Sequence, residues 1–138
     1  MINHIQGKLV EVNPAFVVIE CNGVGYLLNI SLTTYSNLRE SDTCKLYSHI
    51  VIKEDSHTLY GFYNKLERQI FRFLISVSGV GASTARVILS SMLPEEIRDA
   101  IVSENIQLIT SVKGVGAKTA QRIILDLKDK MLKAFDNI

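Results

Sequence analysis

Apolar and polar residues alternate with a period of two through the first 63 residues, which is the pattern of half-buried strands. Asn13-Pro14 and Asn22-Gly23 interrupt the alternation and are typical of turns between strands, and Thr33 to Leu38 predicts a single helical turn. The predicted strands are Ile2 to Val12, Phe16 to Cys21, Val24 to Ile30, Lys45 to Lys53 and His57 to Tyr63. A small closed barrel of the OB type accommodates five such strands most economically, with an SH3-like barrel as the alternative.

Beyond Asn64 the apolar period changes to 3.6, the period of an amphipathic helix. Asn64 followed by Glu67 predicts a capping box at the start of the first helix. Further helices are predicted from Pro94 to Val102, from the cap Asn105 to Val112, and from Ala117 to Lys133. The sequence therefore predicts an α+β chain of two domains: a barrel in residues 1–64 and an all-α tandem helix-hairpin-helix domain in residues 65–138.

Ten residues of the helical half occur twice: Ser76 to Ala85 returns 35 positions later as Ser111 to Ala120, with two differences. Each copy places Gly-Val-Gly between two apolar helical segments, which predicts two helix-hairpin-helix units. A turn this short needs a positive φ and a backbone that a ligand can approach closely, and glycine provides both. The helix that follows presents unpaired N–H groups and the positive end of its dipole, so each turn is a candidate phosphate site.

Other interpretations of these glycines agree less well with the spacing. A P-loop needs four residues between its first glycine and Gly-Lys, whereas Lys118 follows Ala117. A dinucleotide-binding fingerprint needs a third glycine, and Thr84 and Thr119 stand in its place. Two helical corners without a ligand would not require the same turn twice, so phosphate binding is favoured.

The side chains around the turns differ between the copies. Lys113 and Lys118 flank the second turn, and Arg122 lies on the same helix face as Lys118. The first turn has Ser83 in place of Lys118, so it is expected to contribute less charge unless Arg86 compensates. Each turn threonine could donate to phosphate or bond back to the backbone. The candidate DNA-binding residues are Gly79, Val80, Gly81, Ser83, Thr84, Arg86, Lys113, Gly114, Val115, Gly116, Lys118, Thr119 and Arg122.

Charge is distributed unevenly, although the net charge is only +1. Residues 1–64 carry four Lys or Arg and six Asp or Glu, while residues 65–138 carry eleven and eight, so the hairpin half is the basic half. No membrane-spanning run or export leader is apparent, and a cytoplasmic protein is expected. Cys21 and Cys44 are expected to be reduced, mostly buried thiols, and no metal site is expected, since a pairing of His49 with His57 would lack a third ligand.

Two acidic residues, Glu54 and Asp55, lie between the last two predicted strands. In isolation they indicate a solvated turn. On a protein that binds a polyanion, carboxylates would repel phosphates and could hold strands apart. Contact through turns and backbone alone would be independent of base sequence and sensitive to salt.

The order of barrel strands, acidic turn and two glycine hairpins resembles the RuvA family of Holliday-junction-binding proteins along the whole chain. The resemblance is carried by Asn22-Gly23-Val24-Gly25-Tyr26, by the acidic turn leading into Leu59-Tyr60-Gly61-Phe62, and by Gly114 to Ala120. It implies a homotetramer, one or two per junction, that holds an opened four-way junction, with Glu54 and Asp55 as an acidic pin at the crossover. Ser83 departs from members that carry Lys there.

The resemblance also implies a non-catalytic DNA-binding subunit that binds no cofactor itself, with ATP and Mg²⁺ used by the RuvB motor and RuvC as a further partner. Family members continue into a third domain that binds RuvB, and this domain is expected to be missing because the chain stops at Ile138. Two rivals remain open. One is a generic duplex-binding module of a repair protein, and the other is a DNA glycosylase in which Asp136, about twenty residues past Gly116, would take part in catalysis.

Overall fold

A computed structural model describes residues 1–40 and 42–135 of the chain. The polypeptide divides into two compact units: a barrel unit, Met1–Arg68, and a helical unit that begins at Gln69. The barrel unit contains β1 His4–Val12, β2 Phe16–Cys21, β3 Val24–Asn29, α1 Leu32–Tyr35, β4 Thr43–Lys53 and β5 Ser56–Phe62. The remaining helices are α2 Lys65–Ile75, α3 Ala82–Ser91, α4 Pro94–Val102, α5 Ile106–Thr110 and α6 Ala117–Ala134.

The five strands close into a barrel in the order β1-β2-β3-β5-β4. Four of the five pairings are antiparallel, and β3 runs parallel to β5 where Asn29 pairs with Tyr60. A five-stranded barrel with this order and a short helix between β3 and β4 is the OB arrangement. The prediction of an OB-type barrel followed by helices is therefore confirmed.

Turn chemistry sets the register of the first two hairpins. Asn22 and Gly23 both have positive φ, 50° and 85°, which is the geometry of a two-residue hairpin turn that matches the twist of its strands. At the preceding turn the Asn13 side-chain oxygen accepts hydrogen bonds from the N–H groups of Ala15 and Phe16, each at 2.9 Å. Because successive side chains of a strand point to opposite faces, every second residue of each strand then points into the barrel.

The barrel core is apolar and closely packed. Its buried side chains are Ile5, Leu9, Val17, Ile19, Leu28, Ile30, Leu38 and Leu46. Gly7 lies on the same inward face of β1 as Ile5 and Leu9, and a Cβ there would lie 2.3 Å from the carbonyl oxygen of Glu20. Only glycine fits at this close approach of two strands.

Both cysteines are free thiols of intermediate exposure packed against this core, so they are less buried than the sequence suggested. The Cys21 thiol donates to the carbonyl of Gln6 at 2.9 Å. Burial, followed by the proximity of Cys21, raises the pKa of Cys44 to about 11. Cys44 is therefore a poor nucleophile at neutral pH.

The start of α2 differs from the predicted capping box. Asn64 caps the helix as expected, because its side-chain oxygen accepts from the N–H of Glu67 at 2.9 Å. The Glu67 side chain does not accept from the N–H of Asn64, as a capping box requires. Its fully buried carboxylate instead accepts from the hydroxyls of Ser31 and Thr34. These two donors come from α1 and its cap, so the interaction depends on the tertiary fold.

The helical unit buries its apolar stripes in one core. Its largest buried side chains include Ile70, Phe71, Leu74, Ile88, Leu89, Ile97 and Ile101. Asn105 caps α5 as predicted, its side-chain oxygen accepting from the N–H of Leu108 at 3.1 Å. Pro94 occupies the first turn of α4, where its missing N–H costs nothing.

Candidate nucleic-acid interface

The two glycine turns, residues 76–81 (the first hairpin turn) and residues 111–116 (the second hairpin turn), have the same backbone conformation. Gly79 and Gly114 have φ of 89° and 88°, a region that favours glycine. The N–H of Val80 donates to the carbonyl of residue 77 at 3.0 Å, and the N–H of Val115 donates to the carbonyl of residue 112 at 3.1 Å. The sequence repeat is thus a structural repeat.

Each turn leads into a helix whose first N–H groups are open. The first bond of α3 runs from Ala85 N–H to Gly81 O at 3.0 Å, and that of α6 runs from Ala120 N–H to Gly116 O at 3.0 Å. Within the part of the chain that the structure describes, the N–H groups of residues 82–84 and 117–119 have no acceptor. They lie at the positive ends of two helix dipoles, which suits an anion.

The second glycine of each turn is not required by the fold. Gly81 and Gly116 have φ of −91° and −85°, which any residue can adopt. A Cβ built at either position meets no atom within 4 Å. The missing side chain therefore leaves the helix N-terminus accessible from outside without relieving any contact inside the chain.

The middle residue of each turn anchors it. Val80 and Val115 are each 5% exposed, so their side chains belong to the core and only their backbone is available to a ligand. The helix before each turn ends in the same way: Ser76 donates to Phe73 O at 2.6 Å, and Ser111 donates to Leu108 O at 2.5 Å. Each turn is therefore anchored by a buried valine and preceded by a serine hydroxyl that bonds to the end of the helix before it.

The turn threonines have hydroxyls without a partner. Thr84 and Thr119 are partly buried in the first turns of α3 and α6, and neither hydroxyl bonds to any residue in the ranges 1–40 and 42–135. By contrast, Thr110 in α5 bonds back to the carbonyl of Ile106 at 2.9 Å. The back-bonding alternative is therefore not adopted, and both hydroxyls are available.

The charged candidates fall into two groups. Lys113 and Lys118 are exposed and make no ion pair with any described residue. Arg122 is paired with Asp126 at 3.1 Å, an exposed i,i+4 bridge of the kind that contributes little stability and can be exchanged for a phosphate. Ser83 is exposed and Arg86 is partly buried, so the first hairpin turn carries less accessible charge than the second.

The acidic residues occupy an exposed two-residue turn. Lys53 pairs with Ser56 at the end of the β4–β5 hairpin, leaving Glu54 and Asp55 at its tip. In the same hairpin His49 pairs with Tyr60 and His57 pairs with Ile52, so the two histidines do not face each other. Among the described residues no three His, Cys, Asp or Glu side chains are grouped as metal ligands.

One basic cluster was not anticipated from the sequence. Around the ring of Tyr47 lie the Lys45 Nζ at 5.2 Å from the centroid, the Lys65 Nζ at 5.5 Å and the Arg68 Cζ at 5.3 Å. Lys45 and Tyr47 are two residues apart on β4 and so share a face, but Lys65 and Arg68 come from α2. The alternation of β4 could have placed Lys45 beside Tyr47 from the sequence. The approach of Lys65 and Arg68 from α2 depends on tertiary packing and has no sequence signal.

No helix among the described residues is both long and apolar enough to cross a membrane. Asp136, the candidate catalytic residue of the glycosylase alternative, lies outside the described residues.

Comparison with known proteins gives two family matches. Residues 1–61 match the RuvA N terminal domain, and residues 71–129 match the SAM-like Helix-hairpin-helix tandem. The chain is 63% identical over 134 residues to the Holliday junction branch migration complex subunit RuvA of Christiangramia forsetii, covering 97% of this chain and 69% of that protein. This chain belongs to the RuvA family.

Further relatives agree with this assignment. The RuvA subunit of Flavobacterium psychrophilum is 60% identical over 136 residues, covering 99% of this chain and 70% of that protein. That of Bacteroides thetaiotaomicron is 55% identical over 131 residues, covering 95% of this chain and 65% of the relative. RuvA-family similarity thus extends through both the barrel unit and the helical unit.

Proposed function

We propose that this RuvA-family chain binds four-way DNA junctions as the junction-binding subunit of a branch-migration complex. The single observation that carries the proposal is the duplicated hairpin turn, with open N–H groups and an uncovered second glycine, in a chain 63% identical to a relative named Holliday junction branch migration complex subunit RuvA. The relatives are named as subunits of a complex, which supports a role in assembly with other proteins.

Each hairpin turn would bind one stretch of phosphate backbone. The N–H groups of residues 82–84 and 117–119 would donate to phosphate oxygens, and the Thr84 and Thr119 hydroxyls would add one donor each. Lys113 and Lys118 would supply charge at the second hairpin turn, and Arg122 could exchange Asp126 for a phosphate. Because none of these groups reads a base edge, binding would be independent of sequence and would weaken steeply with salt.

The acidic turn would work by repulsion. Glu54 and Asp55 are exposed at the tip of the β4–β5 hairpin, where they could meet phosphates at the crossover of a junction. Like charges repel most strongly where water is excluded, so carboxylates at the crossover would hold the strands apart without any bond chemistry. The turn would therefore shape the junction and not add to affinity.

Assembly and partners complete the proposal. A homotetramer, one or two per junction, would place a pair of hairpin turns on every arm. RuvB would supply the ATP-driven force and use ATP and Mg²⁺, and RuvC would act on the same junction. The chain itself would act by binding alone and would need no cofactor.

The test is a gel-shift titration of a synthetic four-way junction against a linear duplex with the same arm sequence. Both titrations are run at several salt concentrations with Mg²⁺ present, and the free protein is sized in parallel by light scattering. Tighter binding to the junction, together with a multimeric protein, is the expected result. Equal affinity for both DNAs would replace the proposal with a generic duplex-binding module.

A further inference from the structure

Half of the lysine and arginine side chains of the barrel unit lie around the ring of one tyrosine, Tyr47. Lys45, Lys65 and Arg68 each lie within 5.5 Å of the centre of the Tyr47 ring. A cation over a ring face gains some attraction from the ring quadrupole. Three like charges around one ring also repel one another, so the arrangement attracts an anion.

The two lysines and the arginine have different roles. Arg68 is 9% exposed, and its guanidinium donates to the carbonyls of Asn3 at 2.7 Å and Ser48 at 3.3 Å, so its position is fixed. Lys45 and Lys65 are exposed, and neither ammonium lies within ion-pairing distance of a carboxylate anywhere in the described ranges. The arginine is thus a fixed positive charge beneath two ammonium groups that remain available to a ligand.

The surface beside the ring is recessed and polar. Tyr47 and Lys45 border a depression of about 520 Å³ in the barrel unit, whose wall also includes Arg39, Asn37 and Tyr63. Arg39 adds another cation to this wall, against one carboxylate, that of Asp42. A recess lined by cations, an amide and phenol rings suits an anion with several acceptor oxygens better than an apolar partner.

We propose that Lys45 and Lys65, with Arg68 fixed beneath them around Tyr47, form a second phosphodiester-binding site, in the barrel unit and separate from the hairpin turns. This site deepens the proposed function and rests on it, because the phosphodiester it would take is the DNA backbone. A carboxylate-rich protein surface is the competing occupant. The sequence-independent chemistry of the site matches that of the hairpin turns, which also offer donors without reading bases.

The test removes both exposed charges from the full chain as Lys45→Gln/Lys65→Gln. Affinity for a four-way junction is measured by fluorescence anisotropy at several salt concentrations. The slope of log affinity against log salt should fall by about one for each lysine lost, and affinity near physiological salt should fall about tenfold. Lys45→Arg/Lys65→Arg, which keeps the charge, should restore the slope.

The matched control is Lys130→Gln/Lys133→Gln, which removes two exposed charges from the far end of α6. Lys130 is thirteen residues beyond the start of that helix, about 20 Å along its axis from the second hairpin turn. The control should leave the slope within about half a unit of wild type. Equal slopes for Lys45→Gln/Lys65→Gln, for the control at Lys130 and Lys133, and for wild type would overturn the second site.

Two other outcomes separate the alternatives. If Lys45→Gln/Lys65→Gln leaves the slope unchanged but alters the mass measured by light scattering, the cluster is a protein contact and the inference is wrong. If wild type binds junction and linear duplex equally, the proposed function fails. The second site is then still decided by whether the slope on either DNA depends on the two lysines.

Discussion

Glu67 in the barrel unit and the hairpin turns in the helical unit differ in how their polar groups are paired. The buried Glu67 carboxylate accepts from Ser31 and Thr34 within the chain. The N–H groups that begin α3 and α6, and the hydroxyls of Thr84 and Thr119, have no partner among the described residues. Groups of the first kind stabilise the fold, and groups of the second kind are available to a ligand, so mutations should separate stability from binding.

The largest expected effect is on stability, at Glu67. Replacing Glu67 with Ala leaves two buried hydroxyls without an acceptor, which should lower the free energy of unfolding by about 3 kcal/mol. Urea unfolding followed by circular dichroism measures this loss. Ser36→Ala is the control, since its exposed hydroxyl bonds only within its own turn, at 2.8 Å to Thr33 O. A Glu67→Ala protein as stable as the control would contradict the assignment.

The same carboxyl predicts a pH dependence. Burial raises the pKa of Glu67 above its usual value of 4.5, partly opposed by hydrogen bonds from Ser31 and Thr34. A raised pKa means that Glu67 stays protonated to a higher pH in the folded state than in the unfolded state. The associated stability is full below pH 4.5 and is lost as the pH rises through the raised pKa.

Glu67→Gln isolates this component, because glutamine does not titrate. The difference in unfolding free energy between wild type and Glu67→Gln should shift against wild type as the pH rises from 4.5. Urea titrations at a series of pH values measure it. A difference that does not change with pH would show that Glu67 titrates alike in the folded and unfolded chain.

The next effect is on DNA binding, with a small cost in stability. Gly116→Val places a side chain in open space with an ordinary φ of −85°, so the fold should not change, and the poorer capping of α6 by valine should cost only about 0.5 kcal/mol. The valine would stand in front of the open N–H groups of α6 and weaken junction binding more than about tenfold, or about 1.4 kcal/mol. Thermal unfolding and gel shifts on the same preparation measure both quantities.

Gly114→Ala is the informative counterpart of Gly116→Val. Its φ of 88° is strained for alanine, so it should cost about 1 kcal/mol of stability. If Gly116→Val destabilises the protein as much as Gly114→Ala does, the second glycine has a role in the fold and the contrast between the two glycines disappears.

A smaller effect should distinguish the two hairpin turns. Lys118→Ala removes an exposed, unpaired charge and should weaken junction binding about fivefold, lowering the salt slope by about one. Ser83→Ala removes a neutral hydroxyl at the equivalent position and should change affinity less than twofold. Equal losses would mean that the backbone donors, which the turns share, determine affinity, and Ser83→Lys would then give no gain.

The smallest effect is expected at the acidic turn. Glu54→Gln/Asp55→Asn removes repulsion from exposed positions and should leave junction affinity unchanged or tighten it by about two- to threefold. Because Glu54 and Asp55 make no side-chain hydrogen bond or ion pair with another described residue, stability should not change. A clear loss of affinity in the anisotropy titration would assign the carboxylates a structural role in the bound state.

Local patterns allowed most of the fold to be predicted. Alternation located the strand ends to within two residues, and Asn22-Gly23 identified a turn with positive φ at both positions. The parallel contact between Asn29 and Tyr60 could not be predicted, since alternation carries no information on which strands are neighbours. Glu67 was misassigned to a capping box because its buried donors, from α1 and its cap, lie more than 30 residues away in sequence.

The position of the candidate site could also be predicted from the sequence, but not the environment of its side chains. The repeat located both hairpin turns, because the signal is local and occurs twice. Sequence alone could not show that the Thr84 and Thr119 hydroxyls are unpaired, or that Val80 and Val115 point into the core. The cluster around Tyr47 was missed because Lys65 approaches the ring from a separate element.

The buried valines at the centres of the hairpin turns affect how quickly and at what entropic cost a ligand is bound. Val80 and Val115 anchor each turn in the core, so the turn cannot rearrange without exposing a buried side chain. Its donors are therefore ordered before the ligand arrives, and little conformational entropy is lost on association. The turns should behave as rigid receptors that form an encounter with DNA without a slow folding step.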